Sequence, residues 1–71
     1  MKPPVTVRER VLEAVREEPG STAADIAQEV VCSTSTATRF AAYWCERGLL
    51  VRQQMRGRDG LYRWSYRPTP G

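Results

Sequence analysis

The apolar residues in the first half of the chain recur every three or four positions, which is the spacing of one face of an α-helix. A first helix is predicted to begin after Thr6, because Thr6 and Glu9 form the T-x-x-E pattern of a capping box. Pro19-Gly20 ends it. Four apolar residues define its buried face: Val7, Val11, Leu12 and Val15.

A second, shorter helix is predicted by the same signals. Thr22 and Asp25 give the pattern T-x-x-D, and Ile26, Ala27 and Val30 supply a short apolar face. A helix of about eight residues is marginal in water by itself, so it must dock against the rest of the domain.

The third helix is predicted from a Ser33 N-cap to Arg47, with Gly48 as a left-handed C-cap. Five residues form its apolar stripe: Ala37, Phe40, Ala41, Trp44 and Cys45. At about 100° per residue, Ser35, Arg39 and Ala42 lie opposite this stripe. The outward face near the N-terminus is therefore small, hydroxyl-bearing or basic, and it carries no acidic residue.

Beyond Gly48 the apolar period changes to that of β-strands, predicted over residues 50–55 and 61–66. The aromatic residues of the second strand alternate with polar ones, and the intervening segment 56–60 has two glycines suited to a hairpin. We expect four aromatic residues to belong to the core: Phe40, Trp44, Tyr62 and Trp64.

This order of elements predicts a mainly α fold with a β-hairpin (α+β), namely a winged helix-turn-helix. Three helices are followed by a wing of two or three strands. The domain is predicted over residues 6–66. Residues 1–5 are expected to be a flexible arm, and residues 67–71 a flexible tail.

Charge and composition narrow the function. The chain of 71 residues has a net charge of +3, no histidine and two cysteines. Residues 1–32 carry four basic and six acidic side chains, whereas residues 33–71 carry seven arginines and two acidic side chains, so the net charge changes from −2 to +5. Arginine suits phosphates and guanine edges, and this distribution favours a nucleic-acid partner.

The same composition argues against several other classes of protein. An enzyme is not expected, because there is no histidine to act as a base or to activate a serine or cysteine. Two cysteines form neither a disulfide framework nor a four-ligand zinc site, so no metal or other cofactor is predicted. No apolar run has the 18 residues of a membrane span, and the N-terminus lacks the apolar core of a signal peptide. A cytoplasmic protein is therefore expected, with no small-molecule ligand evident.

Residues 33–39 read S-T-S-T-A-T-R, and Gly48-Leu49 follow the helix. This stretch resembles the recognition helix and following strand of MarR-type winged-helix transcription regulators, in which S-x-S-T-V-T-R precedes L-x-x-x-G-L-V. Residues 22–30 are similar to the family's T-x-x-E/D-L/I-A helix, and residues 56–62 to its R-x-x-D-G/R-R-Y wing. Seven residues match the first pattern directly: Ser33, Ser35, Thr36, Thr38, Arg39, Gly48 and Leu49.

The resemblance covers residues 7–66 and implies a DNA-binding regulator of transcription, in size like the small stand-alone kind. The long dimerisation helices typical of full-length members have no counterpart in these residues. A homodimer is still compatible with a domain this small.

In a helix-turn-helix, the N-terminal residues of the second helix contact base edges in the major groove of double-stranded DNA. Arg39 can bond guanine O6 and N7, and the small Ala42 permits close approach. The hydroxyls can contact bases or phosphates, although helix capping alone explains Ser33. Arg56 and Arg58 flank Gly57 at the wing tip, where they can contact the backbone or minor groove. The predicted DNA-binding residues are Ser33, Thr34, Ser35, Thr36, Thr38, Arg39, Ala42, Arg56 and Arg58.

Two other roles remain compatible with this fold. One is a winged helix that mediates protein–protein contact in a transcription or replication assembly, for which acidic or exposed apolar residues would be expected at positions 35, 38, 39 and 42. The other is a plasmid or phage accessory protein, such as a partition or excision factor. That protein would bind DNA through the same site.

Overall fold

The computed structural model describes residues 6–70, and the predicted arm at residues 1–5 lies outside them, as does Gly71. Three helices and a three-stranded antiparallel sheet confirm the expected α+β architecture. In chain order the elements are α1 (Val7–Glu17), β1 (Ser21–Thr22), α2 (Ala23–Val30), α3 (Thr34–Glu46), β2 (Leu50–Arg56) and β3 (Tyr62–Pro68).

Each helix begins at the cap that its sequence predicts. Thr6 Oγ1 accepts the Glu9 N–H at 3.2 Å. Thr22 and Asp25 form both bonds of a capping box, and Ser33 Oγ accepts the Thr36 N–H at 3.1 Å. These bonds satisfy donors that the first turn of a helix leaves without backbone partners.

The end of α3 also follows its sequence. Gly48 has a φ of +78°, which a residue without a Cβ adopts easily. The Leu49 N–H then bonds the Trp44 carbonyl at 3.0 Å, which closes the helix and turns the chain into β2.

The sheet has the strand order β1-β3-β2, so β3 is central. The two-residue strand β1 was not predicted, because a pair of residues shows no periodicity. It pairs Ser21 with Tyr66 and Thr22 with Ser65. Together the three strands join the start of the helix-turn-helix to the wing.

The third strand continues beyond its predicted end at residue 66 to Pro68, so Arg67 and Pro68 belong to the sheet and not to the expected flexible tail. Arg67 pairs with Val51, and Pro68 pairs with Leu50. Thr69 also donates to the carbonyls of Leu49 and Gly48, from its N–H and its hydroxyl respectively. The reason is geometric, since β2 begins at Leu50 and offers partners to the chain as far as Pro68.

A single core fills the space between the helices and the base of the sheet. Its buried apolar residues are Val11, Leu12, Ala14, Val15, Ile26, Ala27, Val30, Ala37, Ala41, Leu50 and Tyr66. Phe40, Trp44 and Cys45 are half-buried and pack against it, so the predicted apolar stripe of α3 is confirmed. Val7 was predicted on the buried face of α1 but is 40% exposed, because it lies at the first turn.

The prediction that Tyr62 and Trp64 belong to the core is wrong. Their side chains are 62% and 44% exposed, whereas Tyr66 on the same face of β3 is 2% exposed. The helices cover only the base of the hairpin, and the two strands extend past them. The aromatic alternation correctly marks one face of the strand, but only its last member lies over the core.

Candidate nucleic-acid interface

The outward face of α3 brings the sequence-predicted residues together. Thr34, Ser35, Thr38 and Arg39 are exposed there, and Thr36 and Ala42 are half-buried beside them. The buried Ala37 and Ala41, both at 0% exposure, fix the rotation of the helix and turn Ser35 and Arg39 away from the core. Arg39 forms no ion pair with any of residues 6–70, so its guanidinium is available to a ligand.

Three of the hydroxyl groups already have partners within the helix. Ser33 Oγ accepts the Thr36 N–H and also donates to Thr36 Oγ1 at 2.8 Å. Thr38 Oγ1 donates to the Thr34 carbonyl at 2.9 Å. These bonds use the hydroxyl protons of Ser33 and Thr38, whereas no bond among residues 6–70 uses those of Thr34, Ser35 and Thr36. Together with Arg39, these three side chains can donate to a base or phosphate.

The wing tip is closed by Asp59. Its carboxylate accepts the Leu61 N–H at 3.0 Å and pairs with Arg63 Nη2 at 2.8 Å. Both interactions favour the ionised form, and the bond from Leu61 is the larger reason that the pKa of Asp59 lies below its usual value. Asp59 thus holds the turn of the hairpin closed through its carboxylate.

The ion pair of Asp59 and Arg63 lies against Gly57. A Cβ at this position would lie 2.6 Å from Arg63 Nη1 and 2.8 Å from Asp59 Oδ1, so a larger residue would displace these exposed side chains. Arg56 and Arg58, on either side of Gly57, are both exposed, and neither has an ion-pair partner in the described part of the chain. The turn therefore neutralises Arg63 and presents Arg56 and Arg58 to solvent.

A groove of about 260 Å³ separates the N-terminal half of α3 from the wing. Thr34 and Thr38 form one wall, Arg63 and Trp64 form the other, and Ala24 at the start of α2 lies at one end. The lining is mainly apolar and ends in the hydroxyl and guanidinium groups. This shape suits the sugar-phosphate backbone of a nucleic acid, which presents apolar sugar faces and charged oxygens together.

Three arginines outside the predicted set of DNA-binding residues lie against aromatic rings. The Arg52 guanidinium lies 4.7 Å from the centre of the Trp64 ring. Those of Arg8 and Arg47 each lie 4.8 Å from the centre of the Tyr43 ring. The strand register pairs Gln54 with Trp64, which places Arg52 diagonally opposite the Trp64 ring, so the register indicates this contact. The contacts at Tyr43 depend instead on how α1 packs against α3.

The two cysteines, Cys32 and Cys45, are free and half-buried. Burial raises the pKa of the Cys45 thiol, against a smaller opposing effect of the nearby Arg52 charge. A raised pKa keeps the thiol protonated and lowers its reactivity at neutral pH.

Within residues 6–70, no three histidine, cysteine or carboxylate side chains come close enough to hold a metal ion. The helices described for this part of the chain are all too short and too polar to cross a lipid bilayer.

The arrangement of three helices and a wing is the winged-helix fold of known transcriptional regulators. One solved structure of this fold is a possible transcriptional regulator from Methanosarcina mazei Go1, with a TM-score of 0.78 and 19% sequence identity over 92% of this chain. Another is the PcaV transcriptional regulator from Streptomyces coelicolor in complex with its natural ligand, with a TM-score of 0.71 and 27% identity over 93% of this chain.

The chain spans about half the length of these two proteins, 56% of the first and 45% of the second. No protein-family model matches the sequence, and comparison with curated proteins gave no match either. The likeness is therefore one of fold, carried by the winged-helix unit.

Proposed function

We propose that this protein binds duplex DNA in a sequence-specific manner and regulates transcription, as a MarR-like cytoplasmic winged-helix protein rather than an enzyme. In this proposal α3 enters the major groove, with Ser35 and Arg39 toward the base edges and Ala42 allowing close approach. The hydroxyls of Thr34 and Thr36 donate to phosphates or base edges. Those of Ser33 and Thr38, whose protons are already bonded within the helix, accept from base edges. Arg56 and Arg58 lie on the backbone or in the minor groove.

The observation that carries the proposal is the exposed Arg39 on a face of α3 that has no carboxylate in its N-terminal half. A guanidinium without an acidic partner can form two parallel bonds with guanine O6 and N7. The three hydroxyls bonded within the helix, those of Ser33, Thr36 and Thr38, are held in fixed orientations. Such a surface complements a polyanion.

The distribution of carboxylates supports the same orientation. Glu13, Glu17 and Glu29 border a groove between α1 and α2, and Glu18 and Asp25 border the adjoining one. Five carboxylates of α1, α2 and the turn between them thus line two adjoining grooves, with Arg10 as the one basic residue beside them. Most of the other arginines belong to α3 and the wing. This dipolar distribution orients the protein in the field of DNA.

A second candidate function is protein–protein contact through the wing. Tyr62 and Trp64 are exposed on one face of β3, and Leu61 at the tip is 61% exposed. Exposed aromatic residues of this kind are enriched in protein interfaces. The positions that distinguish the two functions nevertheless remain serine, threonine, arginine and alanine on α3, which favours DNA.

Two arginine variants test the proposal by separating base recognition from phosphate binding. Arg39→Ala is expected to cost about 1–3 kcal/mol on the preferred duplex and to relax the preference at one base pair. Arg58→Ala is expected to weaken binding equally on all duplexes. It should also reduce the magnitude of the log–log slope of affinity against salt concentration by about one per protomer. Preferred sites come from selection of bound sequences out of random duplex DNA. Affinities are then measured on preferred and scrambled duplexes at two salt concentrations.

Both side chains are exposed, so the stability of the fold should change by less than about 0.5 kcal/mol in either variant. Selection that enriches no sequence would contradict specific recognition. If Arg39→Ala lowers affinity equally on both duplexes, Arg39 binds phosphate, and specificity must come from the hydroxyl residues or from DNA shape. A palindromic selected site would indicate that a homodimer binds.

A further inference from the structure

The flank of α3 opposite the wing carries a second basic surface. Thr34 and Thr38 face the wing across the groove. At about 100° per residue, Ser35 and Arg39 form the outermost face, and Tyr43 and Arg47 lie beyond it on the other flank. The predicted contact face is therefore bordered by the wing on one side and by Tyr43 on the other.

Two arginines from different helices meet at Tyr43. Arg8 comes from the first turn of α1 and Arg47 from the C-cap of α3, and both guanidinium carbons lie 4.8 Å from the ring centre. The Trp44 indole N–H bonds the Arg8 carbonyl at 2.7 Å, which fixes the start of α1 against α3. The Tyr43 and Trp44 rings pack edge to face, with centres 5.0 Å apart. We call Arg8, Tyr43 and Arg47 the arginine–tyrosine cluster.

Neither positive charge of the cluster is neutralised by a carboxylate of the described chain. Neither Arg8 nor Arg47 forms an ion pair with a carboxylate in residues 6–70, although Glu9 and Glu46 are their neighbours in sequence. A guanidinium stacked on a ring still has its N–H groups at its edge, where they can bond an anion. Both side chains are exposed, so an anion can approach them.

If α3 lies in the major groove as proposed, the dimensions of the groove would bring a phosphate backbone to the flank that carries this cluster. An α-helix with its side chains is about 10–12 Å across, and the major groove is about 12 Å wide. A helix in the groove consequently has one DNA strand on each flank. If the wing and its groove hold the strand on one side, the opposite strand passes the flank of Tyr43.

We infer that the arginine–tyrosine cluster is a second phosphate-binding site, which holds the DNA strand on the side of α3 opposite the wing. The inference rests on the proposed function, since it needs α3 to lie in the major groove. Tyr43 is a positioning residue that orients both guanidinium groups before DNA arrives. Arg8 and Arg47 make the phosphate contacts, and α1 thereby takes part in DNA binding.

The test compares two double variants that remove the same charge. Arg8→Ala with Arg47→Ala removes the two cations of the cluster. Arg10→Ala with Arg16→Ala is the matched control on α1, where Arg10 borders the groove toward α2. The Trp44 bond goes to the Arg8 backbone carbonyl and survives the substitution. Thermal melting of all proteins verifies that each one is folded.

The measurements are affinity for a selected duplex against salt concentration, and interference by ethylation of individual phosphates. For the cluster variant we expect the magnitude of the log–log salt slope to fall by about 2 per protomer and the affinity to fall about tenfold to a hundredfold at 0.1 M salt. Wild-type binding should be blocked by ethylation on both strands. In the cluster variant, ethylation of the phosphates on one of the two strands should no longer reduce binding. The control pair should show the same interference on both strands as wild type.

Tyr43→Leu and Tyr43→Phe distinguish positioning from mere charge. Leucine removes the ring face, so both guanidinium groups lose their orientation and affinity should fall severalfold. Phenylalanine keeps the ring face and should bind like wild type. Equal affinities for wild type, Tyr43→Leu and Tyr43→Phe would contradict a positioning role for the ring.

The inference and the proposed function fail in different ways. One outcome is that the cluster variant has the affinity and the ethylation interference of the control pair, while Arg39→Ala still weakens binding. The cluster is then not a phosphate site, and the proposed function stands. If the cluster variant loses affinity but the pattern of blocked phosphates is unchanged, the direct contacts are refuted. If the wild type binds no duplex at all, both are refuted.

Discussion

Val31 has an unusual backbone conformation for a branched residue. It ends α2 with a φ of 60° and a ψ of 60°, in the left-handed region, and its side chain is 85% exposed. An L-residue in this region brings its Cβ close to the next carbonyl, and a branched Cβ makes the contact worse. The turn of the helix-turn-helix therefore contains a local strain that the apolar side chain of Val31 does not offset by burial.

Replacing Val31 by glycine is expected to stabilise the protein. The left-handed conformation costs an L-residue about 1–2 kcal/mol, and glycine avoids this cost. Glycine also loses more chain entropy on folding, so we expect the free energy of unfolding to rise by about 1 kcal/mol. Urea unfolding measures this change. Val51→Gly is the matched control at an exposed strand residue, where the same change should be destabilising. A lower stability for Val31→Gly would show that the Val31 side chain makes a stabilising contact, for instance with a second copy.

At the scale of single residues, the sequence predicts best what depends on near neighbours. The caps at Thr6, Thr22 and Ser33 are bonds between residues three apart, so a short motif specifies them. The exposure of Trp64 depends instead on how far the helices extend along the hairpin. No local pattern contains that distance, which is why an alternating aromatic face was wrongly assigned to the core.

At the scale of elements, the outer part of the wing is held only by the pairing of its two strands and by its own turn. Beyond the base of the sheet, β2 and β3 pair with each other from Gln54 and Trp64 to Arg56 and Tyr62, and the helices do not cover them. The order of the tip therefore depends on Asp59, which bonds Leu61 and Arg63 at once. Its ionisation should control the local structure of the wing.

Asp59 is expected to titrate below the usual pKa of an aspartate, and the carboxyl carbon shift in NMR spectra reports it. Because the pKa is lower in the folded state, the stabilisation is present at neutral pH and is lost as the pH falls below about 4. Arg63→Gln removes one of its partners and should move the pKa of Asp59 upward. The adjacent Arg58→Gln removes the same charge without breaking a bond to Asp59, so its effect should be smaller. An Asp59 pKa at or above the usual value would refute this account of the turn.

The elements themselves were largely predictable, with two instructive exceptions. Helical and strand periods located α1, α2, α3 and the hairpin within one or two residues. The strand β1 consists of two residues whose pairing with Ser65 and Tyr66 is purely tertiary. The end of β3 is likewise set by where β2 begins, whereas the local sequence Arg67-Pro68 is typical of a tail.

At the scale of the whole molecule, charge is sorted onto different surfaces. Carboxylates of α1 and α2 line two adjoining grooves, whereas Arg8 and Arg47 lie at Tyr43 on one flank of α3. The charge difference between the two halves of the sequence indicated this separation. The meeting of Arg8 with Arg47 at Tyr43 was not predictable, because it depends on a contact between residues 36 positions apart, Trp44 and Arg8.

The central claim, that this surface binds duplex DNA through its arginines, is tested most directly by a salt titration. Fluorescence anisotropy of a labelled duplex gives the affinity at several salt concentrations. Three to six phosphate contacts per protomer should give a log–log slope of about −3 to −5. Binding that is absent at low salt, or whose affinity does not change with salt concentration, would contradict the account.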